Sequence, residues 1–471
     1  MAAFYKSGEK KTRPGIYQRF VNSNIATVAG AETGIVAIPI QASWGAVGAV
    51  TVHENATSVK NTYGTEGTVD AAVALFEGGA SKVYCVRVGA SDATAKKATV
   101  TLKNASETAV LTIEAKYEGT RKLNVSVRSV SDTSKELVVY DGTTKVESFI
   151  FDSGEGVDEA GKIVSAVASS KYITATAQTA DNKTVAVVTN VELTGGANPK
   201  VANEDYSKAF NALESYSFNY IALDTVSAAV QAILIEWLNR VYESGKLVCA
   251  VIGGTNKTAT IEAMNNTAKA FDNKQVIYSG ICGQDIEGKD VDGYRMAALV
   301  CGAIAGTPTD ESIVHKTVPG IAAIKPFTNA EYEDAIKSGL LLASVSSNGT
   351  VWFDSGVNTL VNPSAEEDEG WKKIRRVATR FELMNRIDVA TAPLIGKVNC
   401  DSNGIAIYIQ YAQGVINEMI KEGKLHNGAT VYEDPETPYA GDSAWFIIVG
   451  DDIDSLEKSY FKYQFRFSPN S

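Results

Sequence analysis

The residue types best suited to catalysis or metal binding are few and widely spaced in this 471-residue sequence. Its three histidines, His53, His315 and His426, lie far from one another along the chain. Ser312 and His315 are three residues apart and would face one another on a helical turn, but neither a G-x-S-x-G elbow nor a third partner accompanies them. A histidine-based metal site or catalytic triad would need long-range assembly, so this pattern does not favour an enzyme.

A glycine pair is the other candidate for chemistry. Gly253 and Gly254 follow the apolar run KLVCAVI and precede TNKTAT, which resembles in outline a turn where a helix N-terminus meets a phosphate. The surrounding residues lack both the G-x-G-x-x-G and the G-x-x-x-x-G-K-[ST] pattern of nucleotide-binding loops. We therefore interpret the pair as a structural turn, and we expect no catalytic, metal-binding or cofactor-binding residues and no cofactor.

The number and spacing of the cysteines also argue against a metal-binding or redox site. The cysteines are odd in number, far apart and free of any C-x-x-C pattern, which removes the usual zinc and redox signatures. Most of them lie in apolar runs, so we predict reduced core residues made in a cytoplasm. The five are Cys85, Cys249, Cys282, Cys301 and Cys400.

Charge and hydropathy exclude several classes of partner. The chain carries 44 basic and 55 acidic residues, a net charge of −11, whereas phosphate binding needs clustered Lys and Arg. The longest weakly polar stretch, AALVCGAIAG at 297–306, is about half the length that spans a bilayer. The opening MAAFYKSGEKKTRPG is basic but lacks the apolar core of a secretory signal. We expect a soluble protein with no direct nucleic-acid contact and no membrane insertion.

Hydrophobic periodicity divides the chain into five regions. Residues 1–24 are polar and too short to own a core, so they are predicted to form an arm. Residues 25–97 combine short apolar runs with one helical pattern, which indicates a small α/β domain. Seven runs with a period of two in 98–197 predict an inserted β-sandwich. Helices and strands alternate in 198–362, a central layered α/β domain, and 363–471 form a C-terminal α/β domain that ends in a strand arm.

The predicted fold class is therefore a multi-domain α/β (α+β) protein, with a layered body, an inserted β-sandwich and extended arms at both ends. Helices are expected within 227–244, 258–271, 294–304 and 405–421, and Asn-Gly at 348–349 predicts a hairpin. A further long helix follows the acidic run at 366–369. Its apolar stripe comprises Trp371, Ile374, Val377, Phe381 and Met384.

The stretch KKIRRVATR, on that long helix, is the strongest local charge feature of an acidic chain. Two interpretations remain open: a solvated helix face, or an electrostatic contact with an acidic neighbour. The residues proposed for such a contact are Lys372, Lys373, Arg375 and Arg376.

Four segments, in their order and spacing, resemble the contractile tail sheath family of phages, defective phage-like particles and R-type bacteriocins. RPGIYQRFVN is similar to the N-terminal arm motif, and GTPTDESIVHKTVPGI to the loop after a central helix. NGTVWFDSGVNTLV resembles the hairpin and G-x-N-T-L that close the central domain, and DDIDSLEKSYFKYQFRF resembles the terminal strand. The resemblance covers nearly the whole chain, and it is weakest in the β-rich region at 98–196.

The resemblance implies a non-enzymatic structural subunit. Such subunits polymerise as stacked hexameric rings around an inner tube and contract to drive the tube through a target cell envelope. The implied partners are other sheath subunits, the tail tube protein, and the baseplate and tail terminator proteins. The implied location is the tail of a virion or phage-like particle, assembled in the cytoplasm of a bacterial host.

Both chain ends have strand character without enough flanking chain to make a sheet alone, so their backbone groups would be satisfied by the sheet edge of a neighbour. The resemblance likewise implies arms that lend strands to other subunits. The residues expected in these arms are Pro14, Gly15, Ile16, Tyr17 and Phe20 at the start and Tyr463, Phe465 and Phe467 at the end.

Two other functions stay open at this stage. An α/β hydrolase or nucleotide-using enzyme with an added β-sandwich would need a convergent polar pocket near Gly253 or His315. A secreted adhesin would suit the Thr- and Val-rich β region, but it is opposed by the α/β body and by the lack of a signal sequence.

For a sheath subunit, the basic stretch or the helix at 405–421 is the expected contact with an inner tube.

Overall fold

A computed structural model describes residues 33–90, 94–365 and 367–466, together with the backbone of two short strands nearer the start of the chain. Ten α-helices lie within the described residues. They are α1 (Ala56–Tyr63), α2 (Val69–Gly78), α3 (Glu159–Ala166), α4 (Asn203–Leu213), α5 (Ala228–Glu243), α6 (Ile261–Phe271), α7 (Gly293–Ala305), α8 (Asn329–Lys337), α9 (Ile374–Thr391) and α10 (Ser402–Lys421).

The strands of the described residues are mostly short. They are β1 (Ala3–Phe4), β2 (Tyr17–Gln18), β3 (Ile35–Ile40), β4 (Val50–His53), β5 (Lys82–Arg87), β6 (Thr99–Lys103), β7 (Ala109–Ala115), β8 (Leu123–Ser131), β9 (Ser134–Asp141), β10 (Thr144–Asp152), β11 (Ile173–Ala177), β12 (Val188–Glu192), β13 (Tyr220–Ala222), β14 (Cys249–Gly253), β15 (Val276–Ser279), β16 (Gly283–Asp285), β17 (Asp290–Val291), β18 (Ile321–Ile324), β19 (Leu340–Leu341), β20 (Ala343–Val345), β21 (Val351–Phe353), β22 (Thr430–Glu433) and β23 (Phe446–Val449).

The body of the protein is built on one seven-stranded sheet with the order β19-β15-β14-β13-β3-β5-β4. All neighbours are parallel except β4, which runs antiparallel to β5 at the edge. Strands from residues 25–97 and from 198–362 thus share a single sheet. The predicted small N-terminal α/β domain is corrected accordingly: β3 pairs directly with β13, so the strands between residues 33 and 90 belong to the same sheet as those of the central domain.

Helices cover both faces of this sheet because successive strand residues point to opposite sides. Val36, Ile38 and Ile40 of β3 join one buried cluster with α2 and α7. Ile35 and Ala37 of the same strand join a second cluster, with α4, α5 and α6. The three layers are those of a doubly wound α/β domain.

Helices α2 and α7 approach each other closely through glycine. A Cβ atom added to Gly302 would lie 2.1 Å from the carbonyl oxygen of Leu75, and one added to Gly78 would lie 2.3 Å from that of Leu299. These distances leave no room for a side chain. Helix α7, which contains most of the run AALVCGAIAG, is therefore a packed core helix. Its residues Met296, Val300 and Cys301 are fully buried.

Residues 98–197 form two antiparallel sheets with the orders β10-β9-β8-β12 and β11-β7-β6. The seven strand-like runs are seven strands, and α3 is an unpredicted helix between them. Both sheets and α3 bury side chains in one cluster that includes Leu111, Val125, Leu137 and Ile163. The assignment of this region as an inserted β-sandwich domain stays a prediction.

Aromatic and arginine side chains join these two sheets to the body. Trp44, from the loop after β3, belongs to the hydrophobic cluster of the two sheets. The guanidinium of Arg121 lies 5.6 Å from the ring centroid of Trp44 and 5.3 Å from that of Tyr172. The buried Arg87, at the end of β5, donates to the carbonyl oxygens of Ala42, Gly45 and Glu118.

The chain divides into two compact units, and the division falls within α9 between Phe381 and Glu382. Among the described residues, the central unit includes 33–381 together with the tail from Asp454, and the C-terminal unit includes 382–453. The predicted domain boundary at 362/363 is thus too early. Ile374, Val377 and Phe381, three residues of the predicted stripe, are buried in the core of the central unit.

The C-terminal unit is small. Helix α10 and the antiparallel pair β22–β23 bury a cluster that includes Val415, Ile416 and Met419. The predicted C-terminal strand arm includes the sequence KYQFRFS. Its described part, up to residue 466, forms no strand with other described residues.

Candidate functional site

The crevice where open α/β sheets usually bind ligands is closed in this protein. Strand order reverses between β3 and β13, and ligands bind at the carboxyl ends of strands at such a point. The buried carboxylate of Asp224 lies there and accepts hydrogen bonds from Thr68 Oγ1 (2.5 Å), the Gln41 backbone (3.0 Å) and Tyr206 Oη (2.7 Å). Burial raises the pKa of Asp224 to about 6, although these donors lower it. Its partners all come from its own chain, so the network fills the crevice.

The two candidate pairs from the sequence do not form a catalytic site. The ring of His315 stacks on that of Trp352, with centroids 4.1 Å apart. Ser312 Oγ instead donates to Glu457 Oε1 at 2.9 Å. At the glycine pair, a Cβ atom on Gly254 would lie 2.2 Å from Tyr278 Oη, so glycine is required there by packing.

A cleft of about 300 Å³ lies near the glycine pair, lined in part by residues 282–284 and 290–292. Its charged groups are already used within the chain. Lys257 pairs with Asp290, and the carboxylate of Asp292 accepts from the backbone of Asn256 (3.1 Å) and of Lys257 (3.0 Å). Lys325 Nζ donates to the carbonyl oxygen of Ala259 at 2.7 Å. The cleft therefore does not favour the enzyme alternative.

The cysteines are free thiols. Cys85, Cys249, Cys282 and Cys301 are buried, and Cys400 is half-buried. Burial raises the pKa of the Cys249 thiol to about 12, which keeps it protonated and unreactive. Within the described ranges, no three His, Cys, Asp or Glu side chains are grouped so that they could hold a metal ion.

The G-x-N-T-L segment, Gly356 to Leu360, is a polar clamp in front of α9. The buried Asn358 donates through Nδ2 to the carbonyl oxygens of Lys274 (3.0 Å) and Trp371 (2.7 Å). The buried Thr359 donates through Oγ1 to the carbonyl oxygen of Asn273 at 2.9 Å. These bonds attach the approach to α9 to the chain just before β15, so this motif positions the helix that carries the basic stretch.

The basic stretch finds acidic partners in its own chain. Lys372 pairs with Glu369 at 2.9 Å. Lys373 pairs with Asp454 at 2.6 Å and with Glu457 at 2.9 Å.

Farther along the stretch the arginines also contact their own chain. The buried Arg375 donates to the carbonyl oxygen of Asp310 at 2.8 Å, and Arg380 pairs with Asp368 at 2.9 Å. Arg376 is half-buried and also has a partner within the chain. The sequence reasoning found the charge but not the partners of Lys373 and Arg375, which come from the C-terminal tail and from the loop after α7.

Beyond Glu457 the chain is extended and exposed. Residues 458–466 are all exposed and have no secondary structure. Phe461, Tyr463 and Phe465 alternate with polar residues, and their rings stack in sequence at 6.4 and 6.2 Å. This is the side-chain pattern of a strand with one apolar face, although no strand of the described residues pairs with it.

Most of the other predicted arm residues lie outside the described residues. This applies to Pro14, Gly15, Ile16, Phe20 and Phe467. Tyr17 lies in β2, which pairs in parallel with β1.

Within the described residues, the sheet β22–β23 has only these two strands, and it exposes several large apolar side chains. Tyr432, Trp445, Ile448 and Val449 are each between 40 and 50% exposed. Phe446 of β23 stacks on Tyr408 of α10, with ring centroids 4.9 Å apart. A two-stranded sheet is marginal by itself, so this one is suited to accept further strands.

Comparison with known proteins identifies the class. Residues 199–359 match the family model described as the phage tail sheath protein central domain. The phage-like element PBSX protein XkdK of Bacillus subtilis (strain 168) is 21% identical, over 98% of both chains. No helix of the described residues has the length and apolarity needed to cross a membrane.

Solved structures share the fold. The sheath tail protein of Desulfitobacterium hafniense superposes with a TM-score of 0.71 at 19% identity, covering 93% of this chain and 100% of that chain. The helical sheath of the anti-feeding prophage (AFP) in its contracted state superposes with a TM-score of 0.57 at 10% identity, covering 97% of this chain and 99% of that chain. The predicted resemblance to the contractile phage tail sheath family is confirmed: residues 199–359 match the model of its central domain, and the fold is that of sheath proteins.

Proposed function

We propose that this chain is the structural subunit of a contractile tail sheath. Its subunits stack as hexameric rings around an inner tube, and contraction of the sheath drives that tube through a target cell envelope. The central-domain match and the sheath fold support a structural role in a tail or phage-like particle. The filled crevice at the switch point supports it further, because the place where α/β enzymes usually bind ligands is taken by Asp224 and its partners.

The exposed tail carries the proposal. Residues 458–466 are exposed, pair with no strand of the described residues, and present three alternating aromatic rings to solvent. A sheet edge on another copy would pair with this segment and cover its rings. If about five ladder bonds form, each contributing ~0.5–1.5 kcal/mol, the link is worth several kcal/mol before aromatic burial is added. Such a contact joins one copy to the next and need not close, so it can propagate a helical polymer.

The acceptor we propose is the β22–β23 sheet of another copy. Opposite charges are a further reason to expect this pairing. The tail carries Lys458, Lys462 and Arg466 between its aromatic residues. The segments around β22 and β23 are acidic. Their carboxylates belong to Glu433, Asp434, Glu436, Asp442 and Asp451.

Contraction, in this proposal, needs no nucleotide. The strand links act as hinges while the compact units rotate as rigid bodies, and the driving free energy comes from additional surface buried between subunits in the contracted state. The absence of a phosphate-binding loop pattern from the sequence supports this reading. The helical sheath of the anti-feeding prophage, which shares the fold, is described in a contracted state.

The other partners follow from the same role. We propose the inner tube protein and the baseplate and terminator proteins as partners, and a virion or phage-like particle tail, assembled in a bacterial host, as the location. A tube or neighbour contact through the basic stretch, at Lys372, Lys373, Arg375 and Arg376, stays part of this proposal. Helix α10 is the second candidate for this contact.

Deletion of residues 1–20 tests the proposal at the other end of the chain. We expect a folded protein with unchanged circular dichroism that no longer sediments as polymer. Normal tubular assembly by the truncated chain would count against strand donation by the N-terminal arm.

A further inference from the structure

The tail leaves the body at a cluster of charged side chains. Lys373 Nζ lies 2.6 Å from Asp454 Oδ2 and 2.9 Å from Glu457 Oε2. The other carboxylate oxygen of Glu457 accepts from Ser312 Oγ at 2.9 Å. Arg375 Nη1 lies 3.9 Å from Asp454 Oδ1, so two cations face two carboxylates. We define these five residues as the clasp.

The clasp joins three segments that are distant in sequence. Lys373 immediately precedes α9 and Arg375 lies in its first turn, Ser312 lies in the irregular loop after α7, and the carboxylates belong to the tail. The loop and the helix are themselves fastened together, because Arg375 donates to the carbonyl oxygen of Asp310 and Thr379 Oγ1 donates to that of Thr309 at 2.9 Å. The clasp therefore rests on a fixed platform.

Apolar burial does not hold the tail. Leu456, between the two clasp carboxylates, is 88% exposed, and every residue from 458 to 466 is exposed. Asp454 and Glu457 supply the hydrogen bonds and ion pairs that join the described part of the tail to other described residues. The attachment is thus electrostatic and half-buried, a kind of contact that salt weakens without abolishing.

We infer that the clasp is an anchor that fixes the point at which the tail leaves the central unit, while the aromatic segment beyond it stays free. The pKa of Lys373 supports the charged state: burial lowers it, but the two carboxylates raise it by more. In a polymer, tension on a donated strand would reach the body through Asp454 and Glu457, and hence α9. This role rests on the proposed strand donation, whereas the existence of the clasp does not.

Limited proteolysis of the unassembled full-length chain tests the clasp directly. A protease that cleaves after glutamate must extract the side chain of Glu457, whereas trypsin cuts after Lys462, beyond the clasp. We expect Lys373→Gln to speed cleavage after Glu457 at least tenfold and to leave tryptic cleavage after Lys462 unchanged. The matched control is Lys372→Gln. It removes the neighbouring charge and its ion pair with the exposed Glu369, and it should change neither cleavage rate.

Two results would overturn the inference. One is cleavage after Glu457 in the unaltered chain as fast as after the exposed Glu287; the other is no acceleration by Lys373→Gln. Because both rates are measured without polymer, failure of strand donation would not affect them. If the clasp is confirmed, Lys373→Gln should also raise the protein concentration needed for polymerisation severalfold. An unchanged threshold would restrict the clasp to a local structural contact and contradict its role as an anchor.

Discussion

The rings of Tyr463 and Phe465 lie parallel to within 7°, with centroids 6.2 Å apart, although the two residues are 75 and 94% exposed. Residues two apart in an extended chain share a side, so these rings and Phe461 form one apolar face. Isolated exposed apolar residues are common, but an alternating row of them on an unpaired segment indicates a partner. In our account the partner is another copy of this chain.

The aromatic face is the first point to test. Replacing Tyr463 and Phe465 together by Ser should abolish polymer detected by sedimentation and leave the folded subunit intact, because both side chains are largely exposed to solvent. A matched double variant, Lys462→Ser with Gln464→Ser, alters the opposite side of the same segment. It should still sediment as polymer at low salt, and equal loss in both variants would argue against a specific apolar face.

A buried ion cluster stabilises the C-terminal unit. The carboxylate of Glu382, 5% exposed, pairs with Arg386 at 2.5 Å and with Lys424 at 2.8 Å. Glu422 pairs with the same two cations at 2.8 and 2.9 Å. Its pKa is lowered, since burial raises it but the two cations lower it by more.

Loss of the Glu382 charge leaves an excess of buried positive charge, which typically costs ~3–5 kcal/mol. We expect Glu382→Gln to lower the free energy of unfolding by this amount in urea titrations. The control Glu369→Gln removes an exposed carboxylate and should cost less than ~1 kcal/mol. Equal effects of the two substitutions would contradict the assigned role of the cluster.

Asp224 gives the protein a specific pH dependence. Its folded pKa of about 6 lies above the ordinary value near 4, so the folded state binds the proton first as the pH falls. Protonation of Asp224 therefore stabilises the folded state fully below about pH 4, and this stabilisation is lost as the pH rises through 6. Relative to Asp224→Asn, the unaltered protein should gain about 2 kcal/mol between pH 7.5 and 4.5. Thermal unfolding of both proteins measures this, and a difference independent of pH would refute it.

The close approach of α2 and α7 predicts a steric effect. Gly302→Ala places a methyl group 2.1 Å from the carbonyl oxygen of Leu75, so the helices must separate, at a typical cost of ~1–3 kcal/mol. Gly414→Ala is the matched control, since nothing lies within 4 Å of a Cβ atom at that position in α10. It should stabilise by up to about 1 kcal/mol through helix propensity. A neutral Gly302→Ala in thermal unfolding would show that the contact is looser than described.

Local patterns predicted many of the elements. The stripe containing Leu234 and Trp237 predicted α5, and Asn348-Gly349 predicted the hairpin β20–β21. Helix α8 was missed, although a detectable signal was present. Thr328 and Glu331 form a capping box, in which the Glu331 carboxylate accepts from the Thr328 backbone at 2.7 Å.

Pairings between distant segments were not predictable from such patterns. Periodicity marks β3 and β13 as strands, but it does not show that they are neighbours, so residues 25–97 were assigned a domain of their own. The clasp was missed for the same reason, because Lys373 and Asp454 are 81 residues apart. The alternation of aromatic and polar residues in the tail is local and visible in the sequence, and the role of the tail as a strand arm stays a prediction.

The central claim is that the free tail makes this molecule a polymer-forming subunit. Negative-stain electron microscopy of the full-length chain, beside a truncated chain ending at Ser459, tests it most directly. We predict striated tubes or rings from the full-length chain and single compact particles from the truncated one, with identical circular dichroism. Compact single particles from the full-length chain, or tubes from the truncated chain, would contradict the account.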